Sequence, residues 1–179
     1  MAGLPGSGKS TLSRALAGRI GAVRWDKDEV RHLLFPPDRV AHDASLNDFC
    51  MELLYSAVRH ALAAEGPRVG SIILDGRPFA RQSQRGRVRE VARQAGAELL
   101  FVVCSAPVDV LLGRIVRDRH PAPDRNPELL NRLAGEMQPF GDDAIIIETA
   151  TTTPEEGVRH CLHELTARGW RAAAATGNA

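Results

Sequence analysis

A phosphate-binding pattern opens the chain. Residues 3–11 read Gly-Leu-Pro-Gly-Ser-Gly-Lys-Ser-Thr and match G-x-x-x-x-G-K-[ST]. Glycines let successive backbone N–H groups face a phosphate, and the following helix directs the positive end of its dipole at the same place. We expect Lys9 to bridge the β- and γ-phosphates of a nucleoside triphosphate and the Ser10 hydroxyl to ligate Mg²⁺. The expected nucleotide contacts are Gly3, Pro5, Gly6, Ser7, Gly8, Lys9, Ser10 and Thr11.

Lysine is rare in this chain, which makes Lys9 informative. Of 23 basic residues only Lys9 and Lys27 are lysines. With this composition, a chance match to the whole pattern arises in roughly one chain in a thousand. The alternative, a glycine-rich turn that merely starts a helix, is therefore disfavoured.

A second group of candidate residues follows a short apolar strand. Asp28 and Arg31 are one helical turn apart and should lie at the carboxyl edge of a sheet, beside the phosphate loop. A carboxylate there can orient an attacking hydroxyl and accept its proton, and a guanidinium can hold an anionic group of the acceptor. Asp26 could share or exchange this role with Asp28. The alternative is that Asp26 or Asp28 only caps the helix and Arg31 makes a surface ion pair.

Four further residues could act on the phosphates or the acceptor. Asp75 ends an apolar run, where an acid could hold Mg²⁺ directly or through water, although it could also be a simple turn aspartate. Arg77 could reach the acceptor or a phosphate. Arg114 and Arg117 are one turn apart and precede a proline-containing loop, so they could close over the transferred phosphoryl group. Plain surface charge is the alternative for both arginines.

Two other features have simpler interpretations. Six arginines lie between residues 77 and 93, but Phe79 is the only aromatic residue among them, so a solvated helix face is favoured over a nucleic-acid groove. His160 and His163 flank Cys161 in a terminal amphipathic helix without a fourth ligand, and a zinc site is disfavoured.

The apolar pattern predicts strands that alternate with helices. The expected strands are 22–25, 69–74, 98–104 and 144–148, and the expected helices are 9–20, 28–34, 44–64, 79–95, 108–119, 126–137 and 154–168. This order implies an α/β fold, a three-layer sandwich with a parallel sheet covered on both faces. Only Met1 and Ala2 precede Gly3, so the strand that should lead into the phosphate loop is missing, and we expect the native chain to begin upstream.

Composition excludes several classes of protein. The 179 residues predict a single domain at 1–170 with a disordered tail at 171–179. The net charge of +1 argues against strong attraction to nucleic acid or anionic lipid. The three dispersed cysteines indicate reduced thiols, and no apolar run could span a bilayer, so we expect a cytoplasmic protein without a membrane partner.

The rest of the sequence narrows the class of nucleotide-binding protein. It lacks an N-K-x-D run for guanine and an L-S-G-G-Q run for a transporter ATPase, which leaves a small kinase. The G-x-P-G-S-G-K-S-T loop, the D-x-x-R pair and the aspartate that ends the third strand resemble the polynucleotide-kinase and zeta-toxin group of P-loop kinases. The resemblance covers nearly the whole chain and implies a catalytic role for Asp28, acceptor binding by Arg31, and lid arginines at Arg114 and Arg117.

Together these features predict an ATP- and Mg²⁺-dependent phosphotransferase that moves the γ-phosphoryl group to a hydroxyl of a small-molecule acceptor. Two alternatives stay open at this point. One is a polynucleotide or nucleoside 5′-hydroxyl kinase, which needs only a short groove. The other is a nucleotide-binding regulatory ATPase that transfers nothing to a hydroxyl.

Overall fold

Strands and helices alternate along the chain, as the sequence predicts. A computed structural model describes residues 1–36, 38, 40, 43–65, 69–117 and 126–170. The elements in order are α1 (Lys9–Ile20), β1 (Val23–Asp26), α2 (Lys27–Leu34), α3 (Ala44–Glu65), β2 (Ile72–Asp75), α4 (Gln82–Gln94), β3 (Phe101–Ser105), α5 (Val108–Arg117), α6 (Pro127–Glu136), β4 (Ala144–Glu148) and α7 (Pro154–Ala167). The proline-containing loop at 120–125 and the predicted tail at 171–179 lie outside the described residues.

Element boundaries differ from the sequence prediction where the backbone leaves the helical or extended region. The strand expected from residue 69 begins only at Ile72, since Gly70 has a φ of 62°. The helix expected from residue 79 begins at Gln82, because Phe79 has a φ of 53° and Arg81 is the extended residue before the helix. Both shifts shorten an element next to the cleft described below.

The sheet consists of two parallel pairs of strands. β1 pairs with β2 in a register that sets Asp26 opposite Asp75, and β3 pairs with β4 from Phe101↔Ala144 to Ser105↔Glu148. Because all four strands run in the same direction, their carboxyl ends meet at one edge of the fold. This edge carries the acidic residues that the sequence singled out.

Residues 1 and 2 connect the two pairs. The Ala2 N–H donates to the Val102 carbonyl (2.8 Å), the Cys104 N–H donates to the Ala2 carbonyl (2.9 Å), and the Met1 amino group donates to the Leu74 carbonyl (2.7 Å). Ala2 thus forms a single parallel bridge with Val103, in the position expected for the strand before the phosphate loop. The loop therefore starts between the two strand pairs, where chain order reverses across the sheet.

Helices cover both faces of the sheet and confirm the three-layer arrangement. On one face, α1 and α7 bury a cluster that includes Leu12, Leu16 and Val158 against Val102 and Ile145. The opposite face carries the second cluster, whose buried members include Met51, Leu54, Tyr55, Val58, Phe79, Val88, Val91, Phe101 and Val103. Successive β3 residues alternate between these clusters, as strand geometry requires. No helix in the described part of the chain is both long enough and apolar enough to cross a membrane.

The arginine-rich stretch forms α4 and the segment before it, and the expectation of a solvated face holds only in part. The side chains of Arg87 and Arg89 are each 42% exposed and that of Arg93 is 73% exposed. Arg85, however, is only 1% exposed and points into the fold. The spacing of the arginines in the sequence does not reveal which one is buried.

Gly3 packs closely against the backbone of β3. Its φ is 127°, and a Cβ at this position would lie 2.2 Å from the Cys104 carbonyl oxygen. We expect Gly3→Ala to lower the free energy of unfolding by roughly 2 kcal/mol or more, because both strain and the clash oppose the substitution.

Urea unfolding measures this effect, with Gly18→Ala as the matched control. Gly18 lies in α1 with open space around its Cα, so its replacement should be neutral or stabilise the fold by about 0.5 kcal/mol. Equal stability of the two variants would contradict the packing described for Gly3.

Candidate active site

The phosphate loop forms one wall of a cleft of about 1650 Å³. The rest of the lining comes from the carboxyl ends of β1 and β2, from α2, α3, α5 and α6, from the segment after β4 and from the starts of α4 and α7. Of the residues expected to contact a nucleotide, those that line the cleft are Pro5, Gly6, Gly8, Lys9, Ser10 and Thr11. Gly3 and Ser7 are buried under the loop instead.

The loop geometry suits an anion. Gly8 has a φ of 81° and immediately precedes α1, so the N-terminal turn of the helix begins at the cleft. The Lys9 Nζ donates to the Leu4 carbonyl at 2.7 Å, which holds the lysine over the loop. A positive helix end and an ammonium group therefore lie at the same wall.

Asp26 and Asp75 face each other at the ends of paired strands and share one cation. The Arg24 guanidinium pairs with the Asp26 Oδ2, lies 3.0 Å from the Asp75 Oδ2 and donates to the Ser13 Oγ at 2.8 Å. Ser13 donates to the Asp75 Oδ2 at 2.6 Å, and the Gly76 N–H donates to the Asp75 Oδ1 at 2.8 Å. Asp75 is fully buried and does not itself line the cleft.

The two carboxyl groups have opposite pKa shifts. Burial, followed by the nearby negative charge of Asp75, raises the pKa of Asp26. Burial alone would also raise the pKa of Asp75, but the hydrogen bond from Ser13, the positive charge of the Met1 amino group and the hydrogen bonds from Gly76 and Arg24 outweigh it and lower that pKa. The Asp26 Oδ1 also accepts a hydrogen bond from the Asp28 N–H at 2.8 Å. Asp26 therefore caps α2, which is one of the two roles that the sequence left open for it.

A cluster of charged and polar residues from α2 and α3 forms the opposite wall. The Asp28 Oδ1 lies 2.9 Å from the Lys27 Nζ and 3.2 Å from the Arg31 Nη2. The Asn47 Oδ1 accepts from the same two cations, at 2.8 and 2.7 Å. Within the described part of the chain, no group donates a hydrogen bond to the Asp28 Oδ2, and the Asp28 side chain is 33% exposed.

Asn47 is a site residue that the sequence analysis missed. It lies on α3, far from any motif, and only the packing of α3 on α2 brings it to Lys27 and Arg31. Asp48, its neighbour, pairs with Arg77 at 2.5 Å. Arg77 therefore reaches the same wall as Arg31, and both line the cleft.

Arg114 lies between the phosphate loop and the segment after β4. Its guanidinium donates to the Gly6 carbonyl (3.3 Å), the Thr149 Oγ1 (3.2 Å) and the Thr149 carbonyl (2.7 Å). Arg117 also lines the cleft and donates to the Gly113 carbonyl at 2.9 Å. No local sequence signal identifies Thr149, because its role depends on strand β4 ending beside the loop.

The side chains that could ligate a metal suit a magnesium ion bound together with a nucleotide. They suit less well a metal ion held by the protein alone. No group of three or more His, Cys, Asp or Glu side chains among the described residues could hold a metal. Mg²⁺ commonly uses one or two protein ligands together with phosphate oxygens and water. Ser10 and Asp26 line the cleft and could supply such ligands, whereas Asp75 is fully buried and does not line the cleft.

A protein-family model and a known enzyme both match most of this chain. A family model described as an AAA domain matches residues 1–140. The chain is 31% identical to an adenylyl-sulfate kinase from Myxococcus xanthus over 98% of its own length and 94% of that protein.

Solved structures share the fold at low sequence identity. A gluconokinase from Sinorhizobium meliloti superposes with a TM-score of 0.65 at 20% identity, covering 93% of this chain and 90% of the other. The tunicamycin resistance protein of Deinococcus radiodurans superposes with a TM-score of 0.63 at 17% identity, covering 97% of this chain and 95% of the other.

The raised pKa of Asp26 predicts a pH effect on stability. The folded state retains the proton of Asp26 above the ordinary pKa of 3.8, so the contribution of Asp26 to the free energy of unfolding should fall as pH rises through the interval up to the raised pKa. Asp26→Asn should remove the contribution of Asp26 to the pH dependence of the free energy of unfolding. Urea unfolding between about pH 4 and about pH 7 measures it.

Asp142→Asn is the control, since Asp142 is exposed and outside the cleft. It should retain the wild-type slope. Parallel stability curves for the wild type and Asp26→Asn would contradict the electrostatic account of this carboxyl pair.

Proposed function

Because the chain belongs to the AAA domain family and is a small ATP-dependent P-loop kinase, we propose that it transfers the γ-phosphoryl group of ATP to a hydroxyl of a small-molecule acceptor. The observation that carries this proposal is the Asp28 carboxylate on the wall opposite the phosphate loop. Its Oδ1 pairs with Lys27 and Arg31, and no described residue donates a hydrogen bond to its Oδ2.

On the nucleotide side, the loop amides and Lys9 bind the phosphates of ATP. Ser10 contributes a hydroxyl to Mg²⁺, with Asp26 close to the same wall. The bound ion neutralises charge on the phosphate oxygens. Arg24 keeps Asp26 and Asp75 in fixed positions, which limits the rearrangement needed when the metal–nucleotide complex binds.

On the acceptor side, Asp28 orients the attacking hydroxyl through Oδ2 and receives its proton. Charge develops on the oxygens of the transferred phosphoryl group in a loose transition state, so a nearby guanidinium stabilises it. Arg114 is suited to this task, because it already contacts the loop at Gly6. Arg117, one turn further along α5, is the second candidate.

The acceptor is proposed to carry an anionic group as well as a hydroxyl. Lys27 and Arg31 are 7% and 1% exposed, and Arg77 lies on the same wall. A carboxylate, sulfate or phosphate group could displace part of the Asn47 and Asp48 contacts and pair with these cations. Adenylyl sulfate and gluconate, which the names of two related proteins suggest, are both hydroxyl-bearing anions.

A screen for ATP consumption tests the acceptor class. Adenylyl sulfate, D-gluconate, neutral sugars, nucleosides, hydroxylated antibiotics and 5′-hydroxyl oligonucleotides serve as candidate acceptors. We expect turnover with at least one small anionic acceptor. Turnover only with oligonucleotides would replace this proposal by the polynucleotide kinase alternative, and turnover only with a neutral compound would refute the anionic requirement.

The Asp28→Asn variant tests the proposed role of the carboxylate. We expect the rate of transfer to fall about 100-fold or more, since the amide cannot accept the proton, while the dissociation constant for Mg·ATP changes by less than about twofold. Steady-state kinetics and calorimetry measure the two quantities.

Asp109→Asn, on α5 and outside the cleft, is the matched control and should behave as the wild type. Transfer by Asp28→Asn at the wild-type rate would show that the base is misassigned. Unchanged ATP hydrolysis without any acceptor-dependent turnover in either protein would instead favour the regulatory ATPase alternative.

A further inference from the structure

Arg85 is a buried charge that the proposed reaction does not use. The residue is 1% exposed, and no carboxylate among the described residues forms an ion pair with it. Burial lowers its pKa below the ordinary arginine value. Such a residue is costly to bury, so its contacts need an explanation.

The guanidinium of Arg85 donates only to backbone carbonyls, and they come from two segments. Its Nε donates to the Phe79 carbonyl (2.9 Å), and its Nη2 donates to the carbonyls of Ala80 (2.8 Å) and Gln138 (2.6 Å). Its Nη1 donates to the Pro139 carbonyl at 2.5 Å. The Cζ also lies 3.8 Å from the centroid of the Phe140 ring.

The first of these segments, residues 76–80, is strained. Phe79 has a φ of 53°, in the left-handed region that a bulky residue rarely adopts, and its side chain is 2% exposed. Such a conformation persists only where surrounding contacts over-determine it. The hydrogen bonds from Arg85 to the Phe79 and Ala80 carbonyls contribute to that restraint, together with the Gln138 N–H, which donates to the same Ala80 carbonyl at 2.9 Å.

The same segment carries Arg77 into the cleft. Arg77 pairs with Asp48 at 2.5 Å, and its side chain is 15% exposed. The segment also accepts a hydrogen bond from the Gly3 N–H at the Pro78 carbonyl (3.0 Å). Gly3 follows Ala2, which β3 holds independently, so loosening residues 76–80 should disturb Arg77 more than the phosphate loop.

We propose that Arg85 is a positioning residue for the acceptor half of the cleft: it fixes residues 76–80 through their carbonyl groups and thereby holds Arg77 against α3. This inference rests on the proposed function insofar as Arg77 serves the acceptor. The restraint itself is a property of the fold and can be measured without an acceptor.

Modification of arginines by phenylglyoxal, followed by peptide mass spectrometry, tests the proposal in the full chain. We compare the wild type, Arg85→Lys and the matched control Arg87→Lys, whose native side chain is 42% exposed on the same helix. A lysine keeps the charge but presents one nitrogen in place of the guanidinium fork, so it cannot make all four of these contacts, and Arg77 in Arg85→Lys should react about tenfold faster. Arg31, whose side chain is 2% exposed, is the internal reference for global opening.

The proposal predicts that only Arg77 accelerates in Arg85→Lys and that neither arginine changes in Arg87→Lys. Calorimetry with Mg²⁺ and a non-hydrolysable ATP analogue should give dissociation constants within about twofold of each other for the three proteins. If Arg77 and Arg31 are both modified faster in Arg85→Lys, Arg85 only stabilises the fold in general. If the modification rate of Arg77 is unchanged, Arg85 does not restrain residues 76–80.

These outcomes are distinct from a failure of the proposed function. If the wild type does not bind the magnesium–nucleotide analogue, the proposed function fails, while the relative reactivities of Arg77 and Arg31 still decide the role of Arg85. Arg85→Met provides a second variant that removes every donor, and it should accelerate Arg77 at least as much as Arg85→Lys does.

Discussion

The hydrogen bonds between Ala2 and β3 fix where the phosphate loop begins, and the position of every other part of the site depends on that start. They start the phosphate loop between the two strand pairs, and Gly3 then turns against the Cys104 carbonyl with no room for a side chain. Because the sheet is parallel, this point coincides with the carboxyl ends of β1 and β2. Nucleotide-binding and acceptor-binding groups consequently meet across one cleft, although they lie on separate elements.

At this edge of the sheet, carboxylate and guanidinium groups form ion pairs that leave some of their polar atoms available to a ligand. Arg24 satisfies Asp26 and Asp75 together, which relieves the repulsion set by their register. The contacts of Lys27 and Arg31 with Asp28 are made at its Oδ1. Paired, buried charges are costly to disrupt, so such networks favour fixed positions over large rearrangements. The proposed chemistry uses that rigidity on both walls of the cleft.

The sequence was sufficient for the class of fold, the family resemblance and the phosphate loop, because these depend on local spacing. The resemblance to small P-loop kinases is confirmed, and so is the three-layer α/β arrangement. Contacts that depend on tertiary packing could not be predicted from local spacing in the sequence. Asn47 and Arg85 lie on helices whose sequence pattern does not reveal a buried polar contact. The roles of individual site residues stay predictions that the structure makes more specific.

The central claim is that the loop at residues 3–11 binds the phosphates of a magnesium–nucleotide complex. Calorimetric titration of the folded protein with Mg·ATP measures this most directly, with Lys9→Ala as the comparison. The account predicts one binding event in the wild type and a loss of affinity of about tenfold or more in Lys9→Ala, because an ammonium–phosphate contact disappears. Absence of binding in a folded wild-type sample, or equal affinity in the two proteins, would contradict it.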